Sequence, residues 1–232
     1  MALTVTLPRV ANDSRRSQAL VAWVSLIAIT GVGVVGYQIL SGAWAEAWFQ
    51  LVAWASIGAF VSGLHRHRML NIPWVTVGAG FVLFAIGDLL FSLNEYVFHI
   101  DGFPSSADVA YLVGYPVLAV GLAALVKNSR TSGRTALIDA GILVTPIAVA
   151  GWVYIIEPLA TQADLTAIER AVSAAYPIGD LLCIAVLIRL ISGVGGRSSS
   201  GQPALGILVA GLASLLLGDV IFLSATLSGS YV

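Results

Sequence analysis

Charge is scarce in this sequence. Only 10% of its 232 residues are Asp, Glu, Lys or Arg, whereas 58% are hydrophobic. Soluble domains carry about 25% charged residues, and a chain with so few charges cannot build an ordinary water-facing surface. The composition therefore excludes a typical soluble domain and predicts an integral membrane protein, with the lipid bilayer as its first partner.

Cysteine is almost absent as well. Cys183 is the single cysteine, which excludes a disulfide within the chain and any cysteine-based metal motif. It lies in an apolar run, so we expect a small core residue and not a reactive thiol. The net charge is −1, and the sequence has no basic stripe that could follow phosphates. These features argue against a nucleic-acid binder.

The sequence also lacks the local signatures of common enzymes. It contains no Gly-x-Ser-x-Gly elbow, no His-Glu-x-x-His zinc motif and no Gly-x-x-x-x-Gly-Lys-Ser/Thr phosphate loop. No nucleophile stands beside a base in a recognisable spacing. We therefore predict no catalytic residues, no metal, no other cofactor and no enzymatic activity in this chain.

Seven apolar segments are long enough to cross a bilayer, whose hydrocarbon core of ~30 Å needs about 20 apolar residues in a helix. In chain order they are Ala19–Leu40, Trp44–Leu64, Pro73–Val97, Asp108–Val126, Ala136–Ile156, Ala171–Ile191 and Pro203–Thr226. The sequence thus predicts an all-α, polytopic helix bundle with about seven transmembrane helices. Its parts are a polar N-terminal segment at 1–18, the transmembrane domain at 19–226 and a short tail at 227–232.

The basic residues orient these spans. Arg170 alone falls on one side of the predicted bilayer. The ten other basic residues fall on the opposite side: Arg9, Arg15, Arg16, Arg66, Arg68, Lys127, Arg130, Arg134, Arg189 and Arg197. Cytoplasmic loops carry an excess of Lys and Arg. We therefore predict a multi-pass protein of the cell membrane, with the N-terminus in the cytoplasm and the C-terminus outside.

Part of this excess is a run of alternating imidazole and guanidinium groups, His65-Arg66-His67-Arg68, between the second and third spans. Such a run could in principle hold a ligand. Basic residues directly beside a span are, however, typical of contact with lipid headgroups. We interpret the run as a charge anchor at the membrane surface.

A short Gly-Asp string recurs in three spans: Gly87-Asp88, Gly179-Asp180 and Gly218-Asp219. The third and seventh helices run in the same direction, so their match indicates a parallel duplication of four-helix units. That duplication predicts a further helix after Val232. The glycines within the spans are interpreted as positions of close helix packing.

The three aspartates of these strings, Asp88, Asp180 and Asp219, lie within apolar spans. A charged carboxylate at such a depth costs at least ~2.5–3.5 kcal/mol, so it normally faces the bundle interior, pairs or is protonated. Three interpretations stay open. The aspartates hydrogen-bond helices together, they line a pocket for a ligand or cation, or they form an ion path.

Polar side chains recur at helical spacing on three spans, at positions i, i+3 or i+4, and i+7. The three stripes are Asp88, Ser92 and Glu95; Asp108, Tyr111 and Tyr115; and Ser173, Tyr176 and Asp180. We predict that these acids and phenols, together with Asp219, line one polar, acidic cavity that opens to the outer face. The predicted ligand is a small cation or a hydrogen-bond donor.

The loop that precedes the fourth span predicts a tight turn. Pro104 is followed by Ser105, Ser106 and Asp108, a pattern typical of a tight turn with a residue that caps the start of a helix. Nearby side chains also offer oxygens or an imidazole to a metal: Glu95, His99, Asp101 and Asp108. Their spacing matches no metal signature, so no metal site is predicted.

Four strings carry a resemblance to a known family: GDLLF at 87–91, PSSADVAYLVGYP at 104–116, LIDA at 137–140 and AYPIGDLL at 175–182. From about residue 74 to 232, the sequence resembles the N-terminal multi-helix membrane region of actinobacterial signalling proteins. In those proteins the region precedes cytoplasmic diguanylate cyclase domains, often with a phosphodiesterase domain behind. The Gly-Gly-Asp-Glu-Phe signature of the cyclase is absent here.

The resemblance implies a sensory input module for cyclic di-GMP signalling, and not an enzyme. Its implied partners are a cytoplasmic signalling domain or a second copy of the chain. Two alternatives come from other classes. One is a small ion-coupled transporter that uses the aspartates, and the other is a non-catalytic structural membrane protein in which they only tie helices together.

Overall fold

The computed structural model describes residues 24–25, 27–100, 102–127, 134–194 and 202–227. Every regular element in this part of the chain is a helix. The helices are α1 (Ile27–Ile39), α2 (Ala43–Arg66), α3 (Ile72–Leu93), α4 (Ser106–Lys127), α5 (Arg134–Gly151), α6 (Glu157–Thr161), α7 (Ala167–Val194) and α8 (Gln202–Leu227). The predicted all-α class is thus confirmed for the described residues.

Four helical segments have the length and composition of a membrane span: Ala43–Arg66, Ile72–Phe98, Ser106–Leu125 and Ala167–Leu190. Shorter apolar stretches of helix lie within the first, fifth and seventh predicted spans: Ile27–Ile39 in α1, Gly141–Ile156 in α5 and the π turn after it, and Gly206–Gly218 in α8. The predicted segment at 1–18 and residues 228–232 of the predicted tail lie outside the described residues, as does the loop between α4 and α5.

Two π-helical turns extend long helices in a way that the sequence did not predict. Asn94–Phe98 continues α3, and Trp152–Ile156 joins α5 to the short α6. A π turn bonds residue i to i+5, so it inserts one residue into the helical repeat and rotates whatever follows. Apolar composition carries no signal for such an insertion, because it leaves the hydropathy of the segment unchanged.

Contacts divide the chain into two units, Met1–Ser56 and Ile57–Val232. In the first unit, α1 and the start of α2 form a hairpin that turns at Gly42, where φ is 58°. The Trp48 indole lies on Gly36, at which an added Cβ would come within 2.4 Å of its Nε1. That Nε1 donates to the Gly33 carbonyl over 2.9 Å. Glycine is therefore needed where the two helices meet.

In the second unit, α3 packs along α4, and both α4 and α5 pack on α7. The closest approach of α3 and α4 uses glycines. A Cβ at Gly80 would lie 2.9 Å from Leu118 Cβ, and one at Gly121 would lie 2.6 Å from the backbone nitrogen of Val77. These positions confirm the packing interpretation of glycine for this helix pair.

The core of the second unit is apolar and centred on α4 and α7. Its buried residues are Val77, Tyr115, Leu118, Leu122, Cys183, Leu187, Leu190, Leu212 and Leu216. Cys183 is only 2% exposed. The expectation of a small buried core residue at that position is confirmed.

Side-chain caps begin three of the long helices. The Asn71 carboxamide oxygen accepts the Trp74 N–H at the start of α3 over 3.3 Å. At the start of α4, the Ser105 hydroxyl accepts the Ala107 N–H over 3.2 Å, and the Asp108 carboxylate accepts the Ser105 N–H over 2.5 Å. This reciprocal arrangement is a capping box, so the predicted cap of the fourth span is confirmed. Thr166 and Glu169 form the same box at α7.

Candidate functional site

The first element of the site links α3 to α4. The phenol of Tyr111 on α4 donates to Asp88 Oδ1 on α3 over 2.7 Å. Its ring lies against Gly87, where an added Cβ would meet a ring carbon at 2.6 Å. The Gly-Asp string therefore has two local roles. The glycine makes room for the ring, and the aspartate accepts a hydrogen bond from the ring's hydroxyl group.

The second element links α4 to α7 through Asp108, which is 9% exposed. Asp108 Oδ1 accepts the phenol of Tyr176 over 2.5 Å, and Oδ2 accepts the Ser105 N–H over 2.5 Å. One carboxylate thus caps α4 and holds α7 at the same time. Its position in the first turn of α4 is favourable for a negative charge, because the helix N-terminus carries partial positive charge.

Aromatic rings join the two hydrogen bonds into one cluster. The Tyr176 ring centroid lies 6.3 Å from that of Tyr111 and 6.3 Å from that of Tyr115. Phe84 on α3 completes the group, 5.0 Å from Tyr115 and 6.2 Å from Tyr111. We call Phe84, Asp88, Asp108, Tyr111, Tyr115 and Tyr176 the tyrosine–aspartate cluster. Its ring separations are those of direct contact, so the rings fill the space between α3, α4 and α7.

Tyr115 shows how α4 is placed between two Gly-Asp strings. The residue is buried, with 4% exposure. A Cβ at Gly179 on α7 would come within 2.5 Å of its ring. α4 therefore sets Tyr111 on the glycine of one string and Tyr115 on the glycine of the other. At Gly218 of the third string, by contrast, no described atom lies within 4 Å of an added Cβ.

The remaining predicted site residues lie as follows. Asp180 on α7 follows Gly179 and is half-buried, with one carboxyl oxygen fully buried. Glu95 lies in the π turn after α3 and is exposed. The side chain of Asp219 on α8 lies outside the described residues. Five of the eight predicted residues thus meet in the cluster, and the predicted common cavity stays a prediction.

A groove occurs elsewhere in the second unit. It runs along α5 and its π turn, with a volume of about 760 Å³. Its lining is mostly apolar: Ile142, Thr145, Pro146, Val149, Ala150, Val153 and Tyr154. It includes none of the predicted site residues. Within the described part of the chain, no three His, Cys, Asp or Glu side chains are grouped closely enough to hold a metal ion.

Sequence reasoning missed three contributors to the site. Phe84 carries no polar group, and its contact with two tyrosines depends on how α3 is rotated. The recurring Gly-Asp string drew attention to Gly87 and Gly179, but the rings that pack against these two glycines come from another helix. Nothing in the string itself points to those rings.

The comparison with known proteins adds no relative. No protein-family model, no curated protein and no solved structure matches this chain. The chemistry of the tyrosine–aspartate cluster is thus the main guide to what the protein does.

Proposed function

We propose that this chain is a seven-span membrane module that works as a sensory input unit, with the tyrosine–aspartate cluster as its ligand-responsive element. One observation carries the proposal. Two phenol–carboxylate hydrogen bonds, Tyr111 to Asp88 and Tyr176 to Asp108, link three helices at the ends predicted to be outer. Breaking them changes how α3, α4 and α7 pack.

The carboxylates favour a cationic ligand. In the closed cluster each carboxylate accepts a hydrogen bond from a neutral phenol, whereas a protonated amine offers a charged donor. A bond to an ionised carboxylate is charge-assisted with either donor, but an ammonium also brings an opposite charge, which attracts the carboxylate strongly where water is partly excluded. An amine that enters from the outer side therefore competes with the tyrosines for the same oxygens. Because each carboxylate also holds a neighbouring helix, this exchange couples binding to helix packing.

A purely structural role is the competing explanation. Helices can be tied by uncharged amides and hydroxyls, and an ionised carboxylate at this depth costs at least ~2.5–3.5 kcal/mol. Asp88, which lies within an apolar span, is therefore an expensive solution if only adhesion between helices is needed. This cost supports a role in which the charge itself is used.

The membrane topology of the proposal draws on composition and charge. Four helical segments have the length of a span, and shorter apolar stretches of helix lie within the other predicted spans. Ten of the eleven basic residues fall on one predicted side, which favours a cytoplasmic N-terminus in the cell membrane. The resemblance to membrane regions of diguanylate cyclase proteins favours a cyclic di-GMP signalling domain as the partner that receives the signal.

The test uses the whole chain in nanodiscs and three small probes. Methylammonium is a cation and a donor, tetramethylammonium is a cation without donors, and acetamide is neutral. We expect methylammonium to raise the melting temperature of the native chain, because a ligand stabilises the state that it binds, by about 2.7 kcal/mol at a hundred times its Kd. Asp88→Asn and Asp108→Asn should abolish the shift. Glu157→Gln, which alters an exposed carboxylate, is the matched control.

Two outcomes would contradict the proposal. If no probe raises the melting temperature of the native chain more than it raises that of the two Asp→Asn variants, the cluster only holds the helices together. If the native chain, but not Asp88→Asn, carries methylammonium into sealed proteoliposomes, the protein is a transporter and not a sensor.

A further inference from the structure

The turn between α2 and α3 presents an unusual concentration of positive charge. His65, Arg66, His67 and Arg68 follow one another, and all four are exposed. No acidic residue occurs in the sequence between Glu46 and Asp88, so this segment of the sequence supplies no counter-charge. We call residues 65–72 the basic turn.

The backbone of the basic turn forms a Schellman motif at the end of α2. The Met69 N–H donates to the Leu64 carbonyl over 2.9 Å, and the Arg68 N–H donates to the His65 carbonyl over 3.2 Å. In this motif the residue just beyond the helix adopts a left-handed conformation and is usually glycine. Here that residue is Arg68, with φ of 54°.

An arginine at this position is unfavourable for the backbone. A side chain at positive φ brings its Cβ close to the following carbonyl, whereas glycine avoids this contact. A residue held in such a conformation is a reason to look for a function. Interaction with the helix dipole explains basic residues in the last turn of α2, His65 and Arg66. It does not explain Arg68, which lies beyond the helix.

Apolar side chains adjoin the charges. Met69, Leu70 and Ile72 are 37%, 57% and 82% exposed. Exposed apolar side chains do not help a site to bind a soluble anion. At a membrane surface they contribute to binding, because the apolar groups enter the acyl boundary while the guanidinium groups remain among the headgroups.

We propose that the basic turn is a binding site for the phosphate headgroup of an anionic phospholipid. Arg66 and Arg68 bind the phosphate, since guanidinium groups match phosphate oxygens in geometry and charge. Leu70 and Ile72 lie against the acyl chains of the same lipid. This site is separate from the tyrosine–aspartate cluster and does not depend on the sensory function.

The test measures lipid retention by the whole chain. The protein is placed in nanodiscs of phosphatidylcholine and phosphatidylglycerol and released, and the retained lipids are quantified by mass spectrometry. The native chain should enrich phosphatidylglycerol. Arg68→Gln should lower the enrichment roughly five-fold, because a basic residue near an anionic surface contributes about that factor. Adding Arg66→Gln should lower it further. Arg170→Gln removes one charge elsewhere and should leave the enrichment unchanged.

Arg68→Gly separates the backbone from the charge. Glycine fits the left-handed position, so this variant should melt at a higher temperature than the native chain in pure phosphatidylcholine. It should nevertheless lose phosphatidylglycerol enrichment as Arg68→Gln does. Native enrichment in Arg68→Gly and Arg68→Gln would overturn the proposal, as would an equal loss in Arg170→Gln.

A final arm distinguishes the lipid from free phosphate. Inorganic phosphate added to phosphatidylcholine nanodiscs should not change the melting temperature, whereas inclusion of phosphatidylglycerol should raise it. If inorganic phosphate reproduces the effect, the site binds a soluble anion and the assignment to a lipid is wrong.

Discussion

Removal of the Tyr111 hydroxyl, which joins α3 to α4, gives the sharpest test of the cluster. Tyr111→Phe deletes the hydroxyl that donates to Asp88 over 2.7 Å but keeps the ring that lies on Gly87. Asp88→Leu removes the acceptor from the same bond and leaves an apolar side chain of similar size. The two changes and their combination form a double-mutant cycle that isolates the coupling between phenol and carboxylate.

The expected coupling follows from the geometry and from the surroundings. Hydrogen bonds to charged groups contribute about 1.5–3 kcal/mol in proteins. Side-chain hydrogen bonds between membrane helices average about 0.6 kcal/mol and reach about 1.7 kcal/mol. The Tyr111 bond is short, is partly buried and ends on a carboxylate, so it should lie in the upper part of the membrane range. We expect a coupling energy of about 1–1.7 kcal/mol.

The assay is unfolding of the purified chain by sodium dodecyl sulfate in mixed micelles, followed by tryptophan fluorescence. Tyr96→Phe serves as the control, since Tyr96 is 39% exposed in the π turn after α3. The changes in the free energy of unfolding caused by Tyr96→Phe and Asp88→Leu should add to within about 0.3–0.5 kcal/mol, as they do for independent sites. If the Tyr111 cycle is equally additive, the hydrogen bond does not hold α3 to α4 and the reasoning about the cluster fails.

Two further predictions concern packing and topology. Gly121→Ala should destabilise the chain by about 1–3 kcal/mol through overpacking, because its Cβ would come within 2.6 Å of the Val77 backbone nitrogen; Gly58→Ala, with nothing within 4 Å, should be neutral or stabilising in the same unfolding assay. A cysteine at Gln162 should react with an impermeant thiol reagent in intact cells while one placed within 129–133 stays protected, and the reverse pattern would invert the topology.

The sequence determined the all-helical class and the long apolar helices, because both depend on quantities summed over long segments. Low charge and apolar runs located all four helical segments that have the length and composition of a membrane span, with ends displaced by only a few residues. For example, α2 spans Ala43–Arg66 where Trp44–Leu64 was predicted. The cap of α4 was also predictable, since Ser105 and Asp108 act on backbone groups within three residues of themselves.

The site depends on contacts between residues that are far apart in the sequence. Tyr111 is 23 residues from Asp88, and Tyr176 is 68 residues from Asp108. Periodicity shows that a helix has a polar stripe, but it does not show which neighbouring helix that stripe meets. It also fails where a π turn changes the phase, as at Glu95, which is exposed although Asp88, seven residues earlier, is half-buried.

The recurring Gly-Asp strings show which features the sequence decides and which the tertiary structure decides. The sequence by itself determined that an aspartate would lie in an apolar helix directly after a glycine, and that such a carboxylate requires a partner. Only the tertiary structure decided that α4 supplies the tyrosine rings for Gly87 and Gly179, while Gly218 has no described atom within 4 Å of an added Cβ. The physical reason is that hydropathy and hydrogen-bonding requirements belong to each residue, whereas the choice of partner depends on the rotation and close approach of whole helices.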